Sequence, residues 1–217
     1  ANTTGGNSVA VGESTMLANT TGGDNVAVGV GALGANTTAS NNTAVGRATL
    51  IANTTGANNT GVGRNALFSN TTGTQNTAVG AYALDATTTA NFNTAMGVNA
   101  LTTNTTGANN TGVGTSALGL STTGSENTGV GGSSSVSVTT GIQNTSLGYN
   151  SGHTITTGSY NCHLGSLAIG GSSSGVNYEL VVGTTNTSLV GKGNSTGFIA
   201  PGGTGAVYQG NNSSSWS

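Results

Sequence analysis

Apolar and polar positions recur along this chain with a period of 17, and glycine marks the phase. Gly12, Gly29, Gly46, Gly63, Gly80, Gly97, Gly114, Gly131, Gly148 and Gly165 follow one another without a slip. The position before each is apolar, from Val11, Val28 and Val45 through Met96 to Leu147 and Leu164. Three before the glycine stand Val9 and Val26, then an unbroken run from Thr43 to Thr145, then Cys162. Between these two columns lies a small residue such as Ala27, Ala44, Gly61 or Ala78, with His163 in the last coil. Four before the glycine is asparagine, from Asn25 to Asn161. Side chains two apart on a strand share a face. The Thr and Val columns therefore face one side, taken here as the interior, and the Ala/Gly column faces the other.

After each glycine the pattern resumes with Met16, Leu33, Leu50, Leu67, Leu84, Leu101 and Leu118, four residues on. A block such as Asn53-Thr54-Thr55-Gly56 then closes the unit, with residues that tolerate the positive φ of tight corners. Each coil reads as strand, glycine corner, short apolar strand, Asn/Gly corner. Seventeen residues are too few for a helix-pair repeat or a propeller blade. They suit one turn of an all-β parallel β-solenoid or β-roll, whose coils pair in register at about 4.8 Å, so that ten coils span roughly 48 Å.

The period fixes the expected domains: a repetitive shaft of ten coils over 1–170, and a C-terminal cap or distal segment over 171–217. After Gly165 the next Val-Gly pair is Val182-Gly183, a step of 18. Four of the nine aromatic residues, Tyr178, Phe198, Tyr208 and Trp216, follow residue 175. Aromatic side chains where a solenoid ends can close its core or stack on receptor sugars. All four are candidates for either role, with the cap the favoured reading. The opening Ala1–Gly5 matches a closing turn block, so the chain is expected to be part of something longer.

The composition narrows the partners. Three basic and five acidic residues give a net charge of −2, which lacks the basic footprint of a nucleic-acid binder. No apolar run approaches the ~18 residues of a membrane span. Strict periodicity overrides the disorder that so much Gly, Ser, Thr and Asn would otherwise suggest. Each coil offers one Val, one Leu and a few methyls, a thin core. The small residues of the Ala/Gly column would let another backbone approach, which points to a homotrimer meeting through that column.

Chemistry is sparse, and no enzyme is expected. The carboxylates Glu13, Asp24, Asp85, Glu126 and Glu179 are scattered singly, and none stands at a telling spacing from His153 or His163. Neither a metal nor a cofactor site emerges. Three copies of His163 could meet on a threefold axis if its column faced outward, but a hydrogen-bonded or solvent-facing histidine is the favoured reading. Arg47 and Arg64, one period apart, read as outward and solvated. Cys162, alone in the chain, reads as a buried thiol in the threonine column.

The unit Asn-Thr-Ala-Val-Gly, followed by Ala-Leu and Asn-Thr-Thr-Gly, as at Asn42–Gly46 and Asn76–Gly80, resembles repeats of bacteriophage tail fibres. Asn7-Ser8-Val9-Ala10-Val11-Gly12 is also similar to repeats in the heads of trimeric autotransporter adhesins, which are trimeric parallel β-rolls. Gly191-Lys192-Gly193, Thr196-Gly197-Phe198-Ile199 and the stretch Val207 to Trp216 resemble the segment before the self-cleaving intramolecular chaperone of endosialidase-type tail fibres. In that family the junction reads Ser then Asp, so the resemblance implies Ser217 as the processed end.

The resemblance implies an extracellular fibre on a virion tail, joined to other tail proteins and touching a glycan or protein receptor on the host. Two alternatives stand beside it. One is a bacterial surface adhesin head. The other is an ice-binding solenoid, suggested by Thr20/Thr21, Thr37/Thr38 and their equivalents and weakened because adjacent threonines point two ways.

Overall fold

The computed structural model describes residues 4–171, 174–184, 189–201 and 207–209, which form an all-β parallel solenoid with 17-residue coils. Ten three-residue strands open it: β1 (Val9–Val11), β2 (Val26–Val28), β3 (Thr43–Val45), β4 (Thr60–Val62), β5 (Thr77–Val79), β6 (Thr94–Met96), β7 (Thr111–Val113), β8 (Thr128–Val130), β9 (Thr145–Leu147) and β10 (Cys162–Leu164). Each pairs in parallel with the next, so Val45 lies on Val62 and Val62 on Val79. The expected coil length and register both hold.

The inside and outside of the strand are the reverse of the expectation. Ala27, Ala44, Ala78 and Ala95 are fully buried, whereas Val11 is 56% and Val45 36% exposed. The reason is space. A Cβ placed on Gly112 would lie 3.3 Å from Leu101 Cγ, and one on Gly129 would lie 3.2 Å from Leu118 Cγ. The inner strand position presses directly on the leucine of the coil before it, and only Ala or Gly fits easily. Two β-branched columns cannot share so narrow an interior, so they face out. The Ala/Gly column therefore cannot be a surface through which chains meet.

The leucine column is inside, as expected, but not on a strand. Leu33, Leu50, Leu67, Leu84, Leu101 and Leu118 have φ between 50° and 53° and are completely buried. A left-handed backbone costs such a residue roughly 1–2 kcal/mol, and burial of its side chain returns about 1.5–3 kcal/mol. The core thus bends the chain into a turn that leucine does not favour locally.

Two asparagine ladders complete the interior. In the first, Asn25 Oδ1 accepts from the Asn42 amide at 2.9 Å, and the relation repeats through Asn59, Asn76, Asn93, Asn110, Asn127 and Asn144 to Asn161. In the second, Asn36 Nδ2 donates to Asn19 Oδ1 at 2.8 Å, and Asn53 and Asn70 continue the series. The asparagines of the turn blocks are buried lattice members rather than surface corner residues.

The change of period does not end the sheet. β12 (Leu180–Thr184) pairs in parallel with β10, and β14 (Gly197–Pro201) pairs in parallel with β12; β15 (Val207–Gln209) closes on β14 antiparallel. The short strands β11 (Ala168–Ile169) and β13 (Leu189–Val190) form a second, two-stranded sheet.

Candidate functional site

The reversal of the strand turns a supposed core into a surface. Along the outer face run Val11, Val28, Val45, Val62, Val79, Met96, Val113, Val130 and Leu147, with the threonines beside them. All are exposed or half-exposed, and no charged residue stands in either column. Rungs about 4.8 Å apart carry this uncharged valine-and-threonine strip for roughly 48 Å over ten coils.

The threonines of the turn blocks divide by role. The first of each pair is used internally: Thr20 Oγ1 donates to Thr37 O at 3.0 Å, Thr37 to Thr54 O at 3.1 Å and Thr54 to Thr71 O at 3.0 Å. Their hydroxyl donors are spent on the lattice, while the second threonine of each pair is exposed.

At the C-terminal end, two features cross the change of period. On the surface, Tyr160 and Tyr178 stack in parallel, centroids 4.8 Å apart and planes 5° from coplanar. Inside, His163 Nε2 lies 3.7 Å from Glu179 Oε2, with both side chains essentially buried. His163 occupies the small-residue column of β10, which faces inward, so the expected solvent-facing or axis-lining histidine becomes a core one. There is room because Gly152 stands where earlier coils carry leucine; a Cβ on Gly152 would come within 3.3 Å of His163 Nδ1.

Glu179 stands four residues before Gly183, the place asparagine fills in earlier coils, and its amide donates to Asn161 Oδ1 at 3.0 Å. Following the column through the 18-residue step would have found it. The carboxylate accepts from the Gly193 amide at 2.7 Å and the Gly171 amide at 2.9 Å. Burial alone would push its pKa up. The nearby His163 imidazole and the two glycine amides outweigh burial and hold the carboxyl below its usual value.

A carboxyl depressed in the folded state adds stability that is complete above its unfolded pKa, about 4.3. That stability is lost as pH falls through the lower folded value. Acid unfolding followed by circular dichroism should therefore show a limb below about pH 4. Glu179→Gln should remove that limb and cost about 2 kcal/mol at neutral pH, because a neutral amide accepts the Gly171 and Gly193 amide bonds more weakly than a carboxylate does. An unchanged acid limb in the variant would refute the assignment.

The remaining candidates are dispersed. Phe198 lies in β14 opposite Tyr208 of β15 by backbone register, and Trp216 and Ser217 lie outside the described residues. Cys162 faces outward and is half-buried, not buried as expected; what burial it has raises its thiol pKa. Arg47 and Arg64 are exposed, with the Arg64 guanidinium 5.3 Å from the Tyr82 ring centroid. His153 Nδ1 lies 2.8 Å from Asn150 O. Burial raises the Asp85 carboxyl.

Among the described residues no three of His, Cys, Asp and Glu converge as a metal-binding set, and no helix is long and apolar enough to cross a membrane. No family model matches the chain, and no curated protein or solved structure matches it.

Proposed function

We propose that this chain is the shaft and distal segment of a trimeric viral tail fibre, a structural and adhesive component that contacts the host surface. The observation that carries the reading is the uncharged apolar strip along the whole strand face. A rod that worked alone would leave this strip in water. A rod in a trimer covers it, with the neighbouring columns widening the contact toward the ~800 Å² per partner of a stable interface. The association surface is thus the Thr/Val face, in place of the Ala/Gly column. In this reading Ser217 is the processing junction, other tail proteins hold the fibre, and the receptor is a host glycan or protein.

Light scattering should give three times the chain mass. Val62→Lys combined with Val79→Lys, on adjacent rungs, should shift the mass to one chain while circular dichroism stays unchanged, because both side chains already meet solvent. Arg64→Ala should leave the trimer intact. A wild-type monomer would overturn the assembly. The maturation half requires Asp directly after Ser217 in the precursor, followed by a chaperone segment. A coiled-coil stalk and membrane anchor there would place the chain among bacterial surface adhesin heads instead.

A further inference from the structure

We propose that the stacked Tyr160–Tyr178 pair is a saccharide-binding platform, with the free face of Tyr178 receiving a neutral sugar ring. The argument begins with the backbone. The column five residues before each glycine is left-handed throughout: Asp24, Asn41, Asn58 and Asn109 have φ of 57°, 61°, 60° and 59°. Asparagine and aspartate visit this region readily, and a bulky ring does so only as an outlier. Two successive rungs nevertheless carry tyrosine, Tyr160 at 62° and Tyr178 at 56°. The left-handed backbone belongs to the whole column, so what sets this pair apart is a tyrosine on both rungs.

The rings do not fill the core. Tyr160 is 43% and Tyr178 60% exposed, although they stack at 4.8 Å on each other. Phe92 shares the column but stands between Gln75 and Asn109, with no aromatic neighbour. On the rung beyond Tyr178 the column holds Ser195, exposed and too short to cover a ring. Among the described residues, one aromatic face therefore remains open, backed by the second ring.

The surroundings are polar and almost without charge. Beside the tyrosines, Asn177 Oδ1 accepts from the Ser159 amide and Asn194 Oδ1 from the Asn177 amide, both at 2.7 Å. On the rungs before Tyr160, Gln143 Nε2 donates to Glu126 Oε2 at 2.7 Å. An open aromatic face bordered by anchored amides matches a hexose, which presents C–H groups to the ring and hydroxyls at its edge. A nucleic-acid strand would also stack, but it needs cationic side chains along its backbone. This column contains acidic residues and no basic one.

The inference takes its biological purpose from the adhesive reading above, while its test is independent of assembly. Saturation-transfer NMR on the intact protein would use maltohexaose, cellohexaose and mannohexaose as probes, with oligothymidine as the comparison. At least one hexasaccharide should receive saturation at its ring C–H protons. Tyr178→Asn places at this position a residue its left-handed backbone favours, so the variant should fold at least as well by thermal melt. Its affinity for the saccharide should fall about ten-fold, the loss of one stacked ring.

Absence of transfer to all three saccharides, an unchanged affinity in Tyr178→Asn, or binding of oligothymidine in their place would each overturn the proposal. A monomer that still binds saccharide would sink the trimeric fibre and leave the platform standing. A trimer that binds none would do the reverse.

Discussion

Gly80→Ala should unfold the rod around its fifth coil and lower the melting temperature by about 10 °C, a cost of roughly 4 kcal/mol or more. The backbone there has a φ of 135°, and an added Cβ would lie 2.5 Å from Gly97 O and 2.6 Å from Gly97 C. Both are main-chain atoms of the next coil. They are held by the in-register ladder in which the Gly80 amide donates to Val62 O at 2.8 Å and the Gly97 amide to Val79 O at 2.7 Å. No side chain can swing away to relieve the clash. The corner glycine is thus required twice, for its conformation and for the close approach of coils. Gly132→Ala is the control, because a Cβ there would meet only the edge of Tyr149 at 3.5 Å. Hydrogen exchange should show lost protection from Val62 to Gly97 in the first variant and none in the second. Equal melting temperatures for the two would refute the argument.

Asn76→Ala should be nearly as damaging, at about 3–5 kcal/mol, because it leaves several buried groups unsatisfied at once. Asn76 Oδ1 accepts from the Asn93 amide at 3.0 Å, and Nδ2 donates to Ala90 O at 2.8 Å. Without the side chain, neither group has another partner or access to water. The second ladder offers the opposite experiment. Thr87 interrupts it, and Asn70 Oδ1 is buried without a partner. Thr87→Asn gives up the bond that Thr87 Oγ1 donates to Asn104 O at 3.0 Å but should supply the missing Nδ2 to Asn70 and an acceptor for Asn104, raising stability by about 1 kcal/mol. Equilibrium denaturation of both variants checks the pair; a loss below 1 kcal/mol in Asn76→Ala would show that the ladder is incidental.

The sequence by itself determined what depends on period. A repeat of 17 brings residue i against i+17, so parallel register, the glycine corners and the stacking of like residues follow from spacing alone. The leucine column was legible as core because the position four after the glycine is large and apolar in seven successive coils, from Met16 to Leu118. The tertiary structure decided which way each three-residue strand faces. Alternation around Ala44 fits either orientation, and the choice turns on the room left above a leucine of the previous coil. The same narrowness draws Asn25 to Asn161 into the interior, where polar groups hydrogen-bond one another because water is excluded. It also forces Leu50 into a left-handed turn that its own propensity opposes. The His163–Glu179 and Tyr160–Tyr178 pairs cross the change of period; the 18-residue step from Gly165 to Gly183 aligns the tyrosines, whereas His163 meets Glu179 only because its strand position faces inward.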